Sequence, residues 1–285
     1  MNLTEARGKL VIVGGAEDKE GDRLILKEFV RIAKGPKARI VVMTAATDKP
    51  EETGAEYRKA FKDLGVDDVR VVDVSQRDDA LSEGSLETIE KATGLYFTGG
   101  DQLHVTSLMG GTPMQKLIYE RYEKGLVIGG TSADAAMMGN SMIIGGGGEE
   151  NPRMGVVEIG PGMDLLSGAI IDTHFSHRGR HGRLLAAVAH YPQDLGLGLD
   201  EDTALIVHKD EFEVMGAGAV TVIDAGAMTY TNLPYVGRDE GLALYGVQLH
   251  VLPAGEKFNL TERKPIIKDA EPKKSKTSNA GRAKR

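Results

Sequence analysis

Ser132 is the residue of this chain whose surroundings most resemble a reactive centre. It follows the apolar and small run Leu126-Val127-Ile128-Gly129-Gly130-Thr131 and precedes Ala133-Asp134-Ala135-Ala136-Met137-Met138, a stretch of helix-forming composition. A strand that turns sharply into a helix lifts a serine hydroxyl above the sheet, the layout of a nucleophile elbow. It also aims the N–H of the next residue, here Ala133, at the oxyanion that forms when the hydroxyl attacks a carbonyl. The pattern G-x-S-x-G is not met, because Asp134 occupies the place of the second glycine. An aspartate there can take a turn conformation or cap the helix. It also puts a negative charge beside the nucleophile, which disfavours an anionic intermediate unless the carboxylate is capped or paired. A Gly-Thr-Ser segment after a strand is equally the form of an ordinary loop serine, so its partners carry the argument.

A serine nucleophile needs a base within hydrogen-bond reach and a third group that orients the base. Among the seven histidines, His174 ends the apolar run Ile170-Ile171-Asp172-Thr173, where a base would overhang the top of a sheet. His104 follows a Gly-Gly-Asp turn and is a second candidate to line the site, whereas His190, His208 and His250 lie in or beside apolar runs and read as structural. His174, His177 and His181 have a spacing that suits a metal if helical. Arg178, Arg180 and Arg183 interleave them and would repel a cation, so no metal is expected. Asp200-Glu201-Asp202, after Leu197-Gly198-Leu199, offers three carboxylates for the orienting role, or simply a solvated turn. The order serine, histidine, acid differs from the serine, acid, histidine order of α/β-hydrolases.

The elements that must position these residues are visible as alternating patterns. Strands are expected at Lys9 to Val13, Ala38 to Thr44, Val69 to Val74 and Leu95 to Gly100, before the strand that leads to Ser132. Helices are expected near Arg23 to Lys34, Pro50 to Leu64 and Leu86 to Ala92, with two more between Gln102 and Lys124. Such alternation builds βαβ units and a mostly parallel, doubly wound α/β sheet, with ligands at the carboxyl ends of the strands. After Leu184 to His190 short strands alternate with turns, among them Ala204 to His208, Val220 to Ile223 and Ala243 to Val251, which predicts an antiparallel C-terminal extension. Gly14-Gly15-Ala16 lacks the G-x-G-x-x-G spacing and no P-loop pattern occurs, so no nucleotide or other cofactor is expected.

Composition sets the class. The 285 residues are 41% hydrophobic, enough for a sizeable core, and contain no cysteine, which excludes a disulfide framework and Cys-ligated metals. No run approaches the roughly 18 apolar residues of a membrane span and the N-terminus has no apolar leader, so a cytoplasmic protein is expected. The net charge of -7 conceals a basic tail: Lys273 to Arg285 holds six cations and no acid, leaving the rest near -13. An acidic body is a poor nucleic-acid binder, and the tail's composition predicts a disordered end. A single hydrolytic domain over residues 1–272, followed by the 273–285 tail, is the expected organisation.

Five segments together resemble the cyanophycinases, serine peptidases related to peptidase E. They are Phe97-Thr98-Gly99-Gly100-Asp101-Gln102, Gly130-Thr131-Ser132-Ala133, Asp172-Thr173-His174-Phe175, Arg178-Gly179-Arg180 with Arg183-Leu184, and Gly198-Leu199-Asp200-Glu201. The resemblance runs in order from Lys9 to about Leu252. It implies a class I glutamine-amidotransferase-like fold, a homodimer, and cleavage of cyanophycin, a polyaspartate with arginine on each β-carboxyl, into β-Asp-Arg dipeptides. It implies Ser132 as nucleophile, His174 as base, Glu201 as orienting acid, Gly100 and Ala133 as oxyanion donors, and Gln102, Asp172, Arg178, Arg180 and Arg183 at the substrate. Such a substrate offers guanidinium and carboxylate groups, so Arg180 and Arg183 are expected to anchor carboxylates and Asp172 a guanidinium. The mechanism expected is attack by Ser132 with an acyl-enzyme resolved by water. Thr173 stands where that family often has glutamine, and the loop Gly145 to Met154, with Glu149, Glu150, Asn151 and Arg153, is a candidate cover for the site. An aspartyl dipeptidase and a non-catalytic binding protein on the same scaffold are the alternatives.

Overall fold

The structure, a computed structural model, describes residues 7–147 and 151–267; the basic tail and the loop residues Gly148, Glu149 and Glu150 lie outside them. The first half runs β1 (Leu10–Val13), α1 (Leu24–Ile32), β2 (Arg39–Met43), α2 (Pro50–Asp63), β3 (Asp68–Val72), α3 (Glu83–Glu90), β4 (Gly94–Phe97), α4 (Gln102–Met109), α5 (Pro113–Glu123) and β5 (Val127–Thr131). The second half runs α6 (Ala133–Ala136), β6 (Gly139–Gly145), β7 (Glu158–Pro161), β8 (Leu166–Asp172), α7 (His181–His190), β9 (Leu195–Leu199), β10 (Thr203–His208), β11 (Glu211–Gly216) and β12 (Ala219–Asp224). It ends with β13 (Tyr230–Thr231), β14 (Leu244–Tyr245), β15 (Gln248–Pro253), β16 (Lys257–Asn259) and β17 (Lys264–Ile266).

A nine-stranded sheet has the order β17-β16-β11-β10-β1-β5-β4-β2-β3. Its β1, β5, β4, β2 and β3 are parallel, as the βαβ alternation predicts, and β10 turns the sheet antiparallel beyond β1. The second half adds more than the expected antiparallel extension. It builds a six-stranded sheet, β15-β12-β9-β8-β6-β7, whose β6, β8 and β9 are parallel. The antiparallel strands are shared out: β10, β11, β16 and β17 extend the first sheet, while β12 and β15 extend the second. Pattern along one strand cannot say which sheet it joins, because that choice is made by contacts distant in sequence. The expected strand Ala243 to Val251 is interrupted by a turn between β14 and β15.

Alternation explains the layers, since successive strand residues face opposite sides. Leu10 and Ile12 of β1, with Leu205 and Val207 of β10, pack against Leu197 and Leu199 of β9 and Val220 and Val222 of β12, so one core joins the two sheets. The alternate residues Val11 and Val13 face Phe29 of α1 and Tyr57 and Phe61 of α2, around Tyr96 of β4. On the outer face of the second sheet, Ile170 and Ile223 meet Leu184 and Val188 of α7. Each such side chain contributes about 1.5–3 kcal/mol by leaving water. Ser132 follows β5 of the first sheet, His174 follows β8 of the second, and Glu201 lies where the chain crosses from β9 to β10.

Candidate active site

Ser132 sits between β5 and α6 with φ 56° and ψ -121°, a conformation that non-glycine residues rarely adopt. Its Oγ is 2.8 Å from His174 Nε2, and His174 Nδ1 is 2.7 Å from Glu201 Oε1. The three side chains thus form a continuous hydrogen-bonded chain. Of the three carboxylates in the Asp200–Asp202 turn, Glu201 alone meets the histidine. Asp200 accepts instead from the backbone N–H groups of Ser176 and Ala219, and Asp202 from that of Asp18.

Burial lowers the His174 pKa, with the hydrogen bond to Glu201 opposing it, so the imidazole is a neutral base near pH 7. The Glu201 carboxylate lies below its ordinary range chiefly because of that same hydrogen bond. His177 comes within 3.9 Å of the other Glu201 oxygen. His181 packs on the Phe175 ring, and among the described residues no group of three histidines, cysteines or acids is arranged to hold a metal ion. His104 is exposed on α4 and does not line the cleft.

The cleft beside Ser132 has a volume of about 190 Å³ and is bordered by Gly100, Gln102, Ala133, Asp172, Arg178, Arg180 and Arg183. Ala133 opens α6, so its N–H has no acceptor within the helix and faces outward from the turn. Gly100 has φ 139°, and a Cβ there would lie 1.9 Å from the Ala46 carbonyl oxygen, so only glycine fits this approach. Asp134 neither caps the helix nor projects into the cleft. It is fully buried, accepts a 2.8 Å hydrogen bond from the Gly99 N–H, and burial raises its pKa to about 7. The carboxyl is therefore largely neutral in the mildly acidic range, and the charge expected beside the nucleophile is suppressed there.

The polar residues expected at the substrate are brought to one side of the cleft, in roles that sequence alone left open. The Asp172 carboxylate is taken up within the chain: Arg183 binds it in a two-point pair, one contact being Nε to Oδ2 at 2.8 Å, and Arg180 Nη1 lies 3.4 Å away. Arg180 also donates to the Thr173 carbonyl at 2.6 Å, Arg183 to that of Gly146 at 3.1 Å, and Gln102 to that of Ile143 at 2.7 Å. Asp172 thus holds two guanidinium groups at the cleft wall, in place of the external guanidinium expected from the sequence. Burial lowers the Arg180 pKa to about 10, which leaves it cationic at neutral pH. Arg178 is exposed on the cleft border.

Sequence reasoning missed Glu17, which is buried under the elbow and accepts hydrogen bonds from the hydroxyls of Tyr57, Tyr96 and Thr131. Its only signal was an acid two residues beyond Gly15, at the end of the first strand.

A serine, a histidine and a carboxylate in hydrogen-bonded series at the top of an α/β sheet have the layout of a serine hydrolase, and the family match makes the class a serine-type peptidase. The profile of peptidase family S51 matches residues 10–215, and the chain belongs to that family. It is 39% identical over 262 residues to a cyanophycinase of Geminocystis herdmanii (strain PCC 6308), covering 91% of this chain and 96% of the relative. A cyanophycinase of Trichormus variabilis (strain ATCC 29413 / PCC 7937) is 38% identical over 89% of this chain and 86% of its own. The crystal structure of a peptidase from an acI-B1 Actinobacterium superposes with a TM-score of 0.64 at 20% identity, over 89% of this chain and 97% of that one, and so shares its α/β fold. No helix among the described residues is long and apolar enough to cross a membrane.

Proposed function

We propose that this chain hydrolyses cyanophycin to β-Asp-Arg dipeptides, with Ser132 as nucleophile, His174 as general base and Glu201 as its orienting acid. The observation that carries the mechanism is the pair of distances, 2.8 Å and 2.7 Å, that link the three side chains. Similarity at 39% identity to a protein named a cyanophycinase supports the substrate.

His174 Nε2 takes the Ser132 proton as Oγ attacks the main-chain carbonyl of an aspartyl unit, and the N–H groups of Gly100 and Ala133 receive the oxyanion. The imidazolium returns its proton to the leaving amine. Water, activated by the same nitrogen, then cleaves the acyl-enzyme. Gln102 and the guanidinium groups of Arg178, Arg180 and Arg183 meet the polar groups of the substrate, with Asp172 holding Arg180 and Arg183 in place. A carboxylate would reach these cations as charge-assisted hydrogen bonds, which suits the free carboxylate on each arginyl branch. The family resemblance adds a cytoplasmic homodimer of one hydrolytic domain, which sedimentation of the full chain tests.

The decisive experiment incubates insoluble cyanophycin with the parent chain and with Ser132→Ala and follows β-Asp-Arg by mass spectrometry. Release by the parent alone is expected. Release by both chains would remove Ser132 from the reaction, and cleavage of short Asp-X peptides without polymer release would point to a dipeptidase.

A further inference from the structure

The loop after β1 touches all three catalytic elements, and its contacts form a regular series. The carbonyl of Val13 accepts from the N–H of Ser132 at 3.0 Å, that of Gly14 from His174 at 2.8 Å, and that of Gly15 from Asp202, next to Glu201, at 2.9 Å. Three successive carbonyls of one segment therefore hold the backbone of the nucleophile, the base and the neighbour of the acid. Each of the three donors has a positive φ, 56° at Ser132, 50° at His174 and 46° at Asp202, a region that side-chain-bearing residues occupy only when their surroundings impose it. Gly15 also lies flat under the imidazole, since a Cβ on it would stand 2.4 Å from a His174 ring carbon.

This loop is itself unfavourable locally at Ala16, whose φ of 50° side-chain-bearing residues rarely adopt, while Gly15 takes φ 102° as only glycine readily does. The Gly14 N–H donates to the Thr203 carbonyl and the Asp18 N–H to Asp202, and the loop's buried side-chain anchor is Glu17, only 4% exposed. One carboxyl oxygen accepts from Tyr57 of α2 and, at 2.9 Å, from Tyr96 of β4; the other accepts at 2.6 Å from Thr131, the residue before the nucleophile. Burial, with Glu17 beside them, pushes both phenols well above their ordinary pKa, so they stay protonated donors.

We infer that Glu17 is a positioning residue for hydrolysis: its buried carboxyl ties the Val13–Gly15 loop to Thr131, Tyr57 and Tyr96, so that three consecutive carbonyls set Ser132, His174 and Glu201 in reacting register. The inference rests on the proposed triad. Glu17 touches neither substrate nor reacting atoms.

The test compares Glu17→Gln, of the same size, and Thr131→Val, which removes one hydroxyl bond, with the full-length parent. Turnover of cyanophycin and the rate of Ser132 labelling by a fluorophosphonate are measured well below the melting point. Val30→Ala, a core truncation in α1, reports what lost stability does alone. The expected result for Glu17→Gln is a fall of about ten- to a hundredfold in kcat and in labelling rate with KM changed by about twofold or less, because small misplacements of reacting groups act on kcat. Thr131→Val should fall in the same direction by a smaller factor, and Val30→Ala should keep kcat per folded molecule. If Glu17→Gln does not fold, Thr131→Val decides alone. A folded variant whose kcat and labelling rate stay within about twofold of the parent overturns the inference. Activity persisting in Ser132→Ala would instead overturn the triad, so the two failures are separable.

Discussion

The two sheets contribute to the site in different ways. The first supplies Ser132 from the carboxyl end of a buried parallel strand, where a short-range strand-turn-helix pattern marks the elbow and the Val13 carbonyl, distant in sequence, holds its backbone. The second supplies His174, and the crossing between the sheets supplies Glu201, so base and acid reach the serine only through packing of one sheet on the other. The position of the serine's elbow is thus marked by neighbours along the chain, whereas its meeting with His174 and Glu201 depends on a shared core, here the layer formed by Leu10, Ile12, Leu197, Leu199 and Val220.

The hardest blow to the second sheet's contribution is His174→Ala. The kcat is expected to fall on the order of 10⁶-fold, about as far as for loss of the serine, because such residues act as a unit. Steady-state kinetics on β-Asp-Arg release checks this, and a loss below about a hundredfold would mean that the serine does not depend on the second sheet.

Glu201→Gln is a finer cut. It keeps the shape but loses the charge that orients the imidazole, and a drop in kcat on the order of 10⁴-fold is expected. The pH profile separates this from simple damage. Burial depresses the His174 pKa below its ordinary 6.5 and the Glu201 bond partly opposes that shift. In the parent, kcat/KM should therefore hold down to pH 6.5 and fall as the pH drops through the depressed value. In Glu201→Gln the acid limb should move to still lower pH.

Arg183→Leu tests the wall that the second sheet adds to the cleft. It leaves the buried Asp172 carboxylate with only the longer contact to Arg180, and breaking such a buried pair costs about 3–5 kcal/mol of stability. Chemical denaturation measures the loss. Asp172→Asn with Arg183→Leu should recover part of it, since the uncompensated charge is then removed.

The mildest change probes the first sheet alone. Asp134 has its pKa raised from 3.8 to about 7 by burial, so the neutral carboxyl stabilises the fold fully below pH 3.8 and this contribution is lost as the pH rises to about 7. Asp134→Asn stays uncharged, and its stability relative to the parent should rise across that window by roughly a few kcal/mol at most. Denaturation midpoints at pH 5 and pH 8 check the sign. An unchanged difference between the two would show that Asp134 does not titrate there.

Several features were legible in the residues alone. The parallel order of β1 to β5 follows from alternating apolar runs and amphipathic helices, and the elbow follows from a strand meeting small residues and a helix former. The segments around His174 and Glu201 were recognisable as a set, but the residues alone could not choose Glu201 over Asp200 and Asp202. Turn conformation decided that: Asp202 at φ 46° turns to Asp18, and Asp200 is consumed by backbone N–H groups. The internal pairing of Asp172 was hidden because an Asp near three arginines has the same composition whether it binds substrate or its own chain. Glu17 was hidden because its partners come from positions 57, 96 and 131.

What neighbours along the chain control could be read from the residues: periodicity, the elbow, the acidic body and the absence of cysteine. Packing between the sheets settled which acid meets the histidine, which carboxyl burial keeps neutral, and which strands form the second sheet. Those outcomes depend on burial and on hydrogen bonds between residues tens of positions apart, whose energies do not exist until the two sheets have packed together.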